Sequence, residues 1–331
     1  MTPSPRRLAI VAVLCLAALV AASPARAEEP PAPAAPPAAP AAPVAAPQAG
    51  EPKITLLEPG AEPRTKLRYA FAMGEPQRTA MRMEISQDIE VDGQKTPAPG
   101  LPSLGMAVKS TVEAVHADGS ATVLWEISDM KVEAGDGVPA ENLKEMEEMF
   151  AQMRFKVRSE MTVRGYMHSS RIELPSDVTG PVKQVLEQMA EQMKDSIGET
   201  AALLPEEAVG TGASWKVELS KKTPQGVQVN ASTIATVTSL ADGKASIESK
   251  VTMDGPEQDF ALPNLPAGKP AHLHSMSGGG TAKITFDPRM VLPDTEMTIQ
   301  MDMKMSMDPG NGTTLTMVIK QTIGMAIRTK P

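Results

Sequence analysis

The chain has 331 residues, with 32 basic against 40 acidic side chains, a net charge of −8 and a single cysteine. Its basic residues are scattered, Lys221-Lys222 being only a dipeptide, so the concentrated positive surface of a nucleic-acid binder is excluded. One cysteine likewise excludes a disulfide framework or a thiolate metal centre.

At the N-terminus Arg6 and Arg7 precede an uncharged apolar run from Leu8 to Ala22, and Ala25-Arg26-Ala27 follows. A basic start, about fifteen apolar residues and small residues where a signal peptidase reads predict an export leader over residues 1–27. The run falls short of the roughly twenty residues that span a bilayer. Cys15 lies inside it behind Leu14, where a lipid-attachment site wants a small residue, so the mature chain is expected to carry no thiol. Loss of Arg6, Arg7 and Arg26 takes the net charge to about −11. Residues 28–51 are almost wholly Pro and Ala; such a tract cannot bury a core and is expected to be an extended linker. Residues 52–331 are ample for one large domain. The expected location is periplasmic or extracellular.

Within that domain apolar and polar residues alternate with the period of a strand. Leu67, Tyr69, Phe71 and Met73 share one face, and Met81, Met83, Ile85, Ile89 and Val91 continue the pattern to a turn at Asp92-Gly93. Met106, Val108 and Val112 lead into Ala117-Asp118-Gly119-Ser120, from which Val123, Trp125 and Ile127 lead back. Phe155, Val157, Met161 and Val163 form a further strand that breaks near Gly165. Two segments have the other period. Pro139 opens one with Leu143, Met146, Met149, Phe150 and Met153 on one face, and Pro181 opens another with Val182, Val185, Leu186, Met189, Met193 and Ile197. Spacings of three and four behind a proline predict amphipathic helices, whose apolar faces the sheet would cover.

Ala117-Asp118-Gly119-Ser120-Ala121-Thr122-Val123 is echoed by Ala241-Asp242-Gly243-Lys244-Ala245-Ser246-Ile247, and Tyr166 to Pro175 by Ile284 to Pro293. Either a duplicated unit, with halves 52–203 and 204–331, or the frequency of Asp-Gly hairpins accounts for this. At the join, Pro205, Val209, Gly212 and Trp215 precede a strand. With this spacing, the Asp-Gly hairpins and the Met-rich alternating strands, the chain resembles a family of exported bacterial proteins of unknown function. The resemblance implies a β-rich domain on the envelope side and transfers no catalytic residue. The glycines permit a tight turn and Trp215 anchors the strand in the core.

The chemistry-bearing element is methionine, 23 in all against five Phe, two Tyr and two Trp. Met297, Ile299, Met301, Met303, Met305 and Met307 alternate with polar residues, Asp308-Pro309-Gly310-Asn311-Gly312 turns the chain, and Met317, Ile319, Ile323, Met325 and Ile327 alternate on the way back. Methionine is an adaptable core filler, and its thioether also binds copper(I). His272, His274 and Met276 occupy alternate positions and on a regular strand would point the same way, which makes them the candidate metal site. His116 and His168 complete the imidazoles, and no metalloprotease motif or phosphate-cradling loop accompanies them. Gly278-Gly279-Gly280 reads as a flexible connection.

The predicted fold is mainly β: a curved antiparallel sheet or sandwich of ten or more strands in two related halves, with the two helices inserted in the first. The predicted role is a non-catalytic binding or interaction module of the cell envelope for a hydrophobic ligand, an acyl chain or an apolar protein segment. No cofactor, nucleic acid or integral membrane span is implied. The alternative is a copper-handling protein using His272, His274 and Met276. A curved sheet under two Met-rich helices can either enclose an apolar cleft, as envelope lipid carriers do, or be filled as a core.

Overall fold

The computed structural model describes residues 51–96, 101–133, 155–173, 201–223, 226–262, 271–310 and 312–330, with Leu143, Lys144 and Glu147. Within them one sheet is built from β1 (Lys53–Glu58), β2 (Gln77–Val91), β3 (Gln94–Thr96), β4 (Ser103–Val115), β5 (Ala121–Glu133), β6 (Phe155–Met161), β7 (Met167–Glu173), β8 (Ser214–Lys222), β9 (Gln228–Ala241), β10 (Lys244–Gly255), β11 (Gln258–Phe260), β12 (Ala271–Phe286), β13 (Asp294–Met307) and β14 (Leu315–Lys330). The order is β1-β8-β9-β10-β12-β13-β14-β2-β4-β5-β6-β7, with β11 beside β12 and β3 beside β2. Every strand pairing is antiparallel. The protein is mainly β, as the alternation predicts.

That alternation decides which side of the sheet is wet. β13 buries Ile299, Met301, Met303, Met305 and Met307 and exposes Thr298, Gln300, Asp302 and Lys304. On the dry side Met303 lies between Met276 of β12 and Ile319 of β14, and Ile319 faces Ile89 of β2. The wet side carries Asp302, Lys304 and Lys320, the reverse of a barrel whose outer face meets lipid. Turn chemistry sets the register. The Asp308 carboxylate accepts the N–H groups of Gly310 at 2.8 Å and Gly312 at 3.2 Å between β13 and β14. Asp92-Gly93 and Asp242-Gly243 close two-residue hairpins with positive φ at both positions, as that turn requires.

Trp125 of β5 and Trp215 of β8 are far apart in the strand order yet share one buried cluster with Tyr69, Val237 and Phe286. The sheet therefore curls until its flanks face each other. The indole edges in this cluster are matched, Trp125 donating its N–H to Ser159 Oγ at 2.7 Å and Trp215 to the Leu203 carbonyl at 2.9 Å, while Ser110 Oγ, opposite Trp125, is buried with no partner among the described residues. The Ala202 N–H donates to the Tyr69 hydroxyl at 3.0 Å. A second cluster occupies the opposite ends of β9, β10 and β12 together with β13 and β14, and it is dominated by Met253, Met276, Met301, Met303, Met305 and Met307.

Between the flanks the chain around residue 60 runs beside residues 205–213. Thr65 and Val209 exchange two backbone hydrogen bonds of 2.9 Å, the Ala61 N–H reaches the Thr211 carbonyl, and the Gly210 N–H reaches that of Pro59. The approach is so close that a β-carbon on Gly210 would lie 1.7 Å from the Ala61 carbonyl oxygen, which only glycine avoids. Val209 and Trp215 are buried against this join. The Pro205 to Trp215 segment is thus a structural clamp.

Three expectations change. Residues 67–73 form no ladder: Leu67 and Tyr69 are buried, but the Tyr69 N–H goes to the Val163 carbonyl and that of Ala70 to Pro288. Their alternation belongs to an extended segment pinned between two loops. Gly278-Gly279-Gly280 is the middle of β12, not a connection. Gly278 and Gly280 stand opposite Met301 and Ile299, and a β-carbon there would lie 2.7 Å from the Gln300 carbonyl oxygen and 2.1 Å from that of Thr298, so the close backbone approach requires glycine. The second echo also separates, since residues 167–173 are one unbroken strand and 287–293 are a turn. The first echo falls on two hairpins that turn differently: His116 and Ser120 pair across three residues between β4 and β5, and Ala241 and Lys244 across two between β9 and β10. Of the helix expected after Pro139, Leu143, Lys144 and Glu147 are described and helical, and Leu143 packs on the first cluster. The rest of that helix, the helix expected after Pro181 and residues 1–50 lie outside the described residues. Among the described residues no helix is long and apolar enough to cross a membrane.

Candidate functional site

Two places concentrate unusual chemistry. The first lies on the dry face, where Met301 of β13, Gln321 of β14 and Gln87 of β2 form one cross-strand row. The row above it is Ile299, Ile323 and Ile85, and the row below is Met303, Ile319 and Ile89. The period of two that puts the apolar residues inside puts both glutamines there as well. Gln321 is 2% exposed, and the amide oxygen and nitrogen of Gln87 and of Gln321 are buried with no hydrogen-bond partner among the described residues. Leaving such a group unpaired costs about 1–3 kcal/mol. Around them the thioethers offer a polarizable surface that adapts to differently shaped contacts.

The second place is the start of β12. A register shift between Leu273 and Ser275 adds a residue at His274, so His274 and Ser275 are both exposed and Met276 turns inward. A bulge inverts the faces of everything after it. His272 and His274 lie together, ring centroids 4.7 Å apart, and the bulge places Met276 in the Met cluster, 3% exposed. His272 Nδ1 is 2.7 Å from an Asp259 carboxylate oxygen of β11, and its Nε2 is 2.9 Å from one of Glu257. The hydrogen bond to Asp259, then that to Glu257, raise the His272 pKa above its ordinary value. His274 Nε2 is 2.9 Å from Ser306 Oγ.

The remaining imidazoles are separate: His116 is 3.1 Å from Thr122 Oγ1 at an exposed turn, and His168 is 3.1 Å from Glu160. Two shallow grooves, of about 290 and 380 Å³, cross β2, β13 and β14. The first is lined by residues 86–88, 300–302 and 320–322, and so includes Gln87, Met301 and Gln321 together with their wet-face neighbours.

Sequence reasoning passed over Gln87, Gln321, Glu257 and Asp259. A polar residue at an apolar position, Gln87 between Ile85 and Ile89 and Gln321 between Ile319 and Ile323, was the available signal for the first pair. The acids had none, because β11 is only three residues long. No protein-family model, no curated protein and no solved structure matches this chain.

Proposed function

We propose that the protein is an exported, non-catalytic binding module of the cell envelope, and that the Met and Ile face of β12, β13, β14 and β2 receives the apolar body of its ligand, an acyl chain or an apolar protein segment. The observation that carries this reading is the pair of unpartnered amides, Gln87 and Gln321, in the middle of that face. A core serving stability alone gains from replacing two buried amides by hydrocarbon. A ligand with a hydrogen-bonding group on an apolar body would satisfy them. The neighbouring thioethers suit such a guest because they repack at little expense.

Native mass spectrometry of protein purified from its own host tests the reading, with uptake of a fluorescent fatty acid as the second measurement. A retained lipid-sized mass, or saturable uptake weakened in Gln87→Leu and Gln321→Leu, is the expected result. A bare polypeptide mass together with no uptake overturns the lipid form, and failure to enrich any apolar envelope peptide in addition overturns the whole reading.

A further inference from the structure

We propose that Glu257, His272 and His274 form a surface site for a divalent transition-metal ion of the zinc, copper(II) and nickel class. One ligand atom from each lies within 4.8 Å of the others, a spacing that small side-chain movements convert into coordination. Two imidazoles and one carboxylate are the donors such borderline ions take, and three protein ligands leave a position for water or an outside group. The site stands apart from the apolar face, so it holds or falls independently of the reading above.

The surroundings support an ion beyond a solvated ion pair. Asp259 faces Nδ1 of His272, the arrangement in which a carboxylate fixes the tautomer of a metal-ligating histidine and leaves Nε2 for the metal. Nε2 lies 2.9 Å from a Glu257 carboxylate oxygen, so these two ligand atoms already face the same point. Ser306, across the ladder on β13, orients the second ring. The two rings lie side by side, centroids 4.7 Å apart, and the bulge at His274 turns Met276 to the other face, which takes the soft ligand out of reach and shifts the preference away from copper(I).

Isothermal titration of the untagged mature protein with zinc, nickel and calcium salts tests this, with His272→Ala, His274→Ala, Glu257→Gln, Asp259→Asn and Met276→Leu variants whose folding is checked by circular dichroism. One equivalent of zinc or nickel is expected to bind, with calcium inert. Binding is expected to vanish in either histidine variant, to weaken in Glu257→Gln, to weaken about tenfold to a hundredfold in Asp259→Asn, and to be unchanged in Met276→Leu. Zinc affinity that survives the His272→Ala, His274→Ala double variant, or that needs Met276, overturns the assignment. So does calcium binding as tight as zinc.

Discussion

The two buried clusters share only β9, β10 and β12, from which they take opposite ends, and they are made differently. Around Trp125, Trp215 and Tyr69 the side chains are rigid and their polar edges have partners in Ser159, Leu203 and Ala202. Around Met301, Met303 and Met305 the side chains are unbranched and flexible, and the two amides among them have no partner among the described residues. The first end specifies one packing. The second tolerates several, and a continuous sheet lets one end supply the stability that the other gives up.

Substitutions break or sharpen this contrast, and the largest effect is expected at the rigid end. Trp215→Ala should destabilise by about 3–5 kcal/mol in urea unfolding, since the indole is fully enclosed and clamps β8 to the join. Tyr69→Phe should cost about 1–3 kcal/mol by leaving the Ala202 N–H unpaired. Burial holds the Tyr69 hydroxyl pKa well above its ordinary value. An acid with a raised folded pKa contributes undiminished stability below its unfolded value near 10, and the contribution shrinks as pH climbs from there. The wild type should therefore lose stability above about pH 10 more steeply than Tyr69→Phe, as urea midpoints across that range will show.

At the soft end effects should be small. Met303→Leu should change stability by less than about 1.5 kcal/mol, because the volume is kept and neighbouring thioethers adjust. A loss of Trp215→Ala size there would remove the contrast. Gln321→Met should have the smallest effect on folding, within about 1 kcal/mol of neutral and towards stabilisation, because it removes an unpaired buried amide. A large destabilisation measured by urea would show that the amide is satisfied in solution.

Most of the sheet could be read in the sequence, because a half-buried strand repeats every two residues. The hairpin of β13 and β14 follows the alternation from Met297 to Ile327 closely. The reading fails where one residue breaks the count. His272, His274 and Met276 are evenly spaced in sequence, yet the bulge at His274 sends them to two sides of the sheet, and no composition signal announces it. It also fails where extension and pairing part company, as at Leu67 and Tyr69, since burial of alternate side chains needs an extended backbone but no ladder. Gln87 and Gln321 were visible as exceptions to the pattern. Only the register, which puts them side by side, gives the exceptions meaning.

The pairing of β14 with β2 joins residues 78–91 to residues 317–330. A ribosome delivers the earlier strand long before its partner exists, so through most of synthesis β2 has an open edge on that side. Sheets closed by such distant pairings fold slowly. Until its last strand docks, that bare edge is open to pairing with other chains.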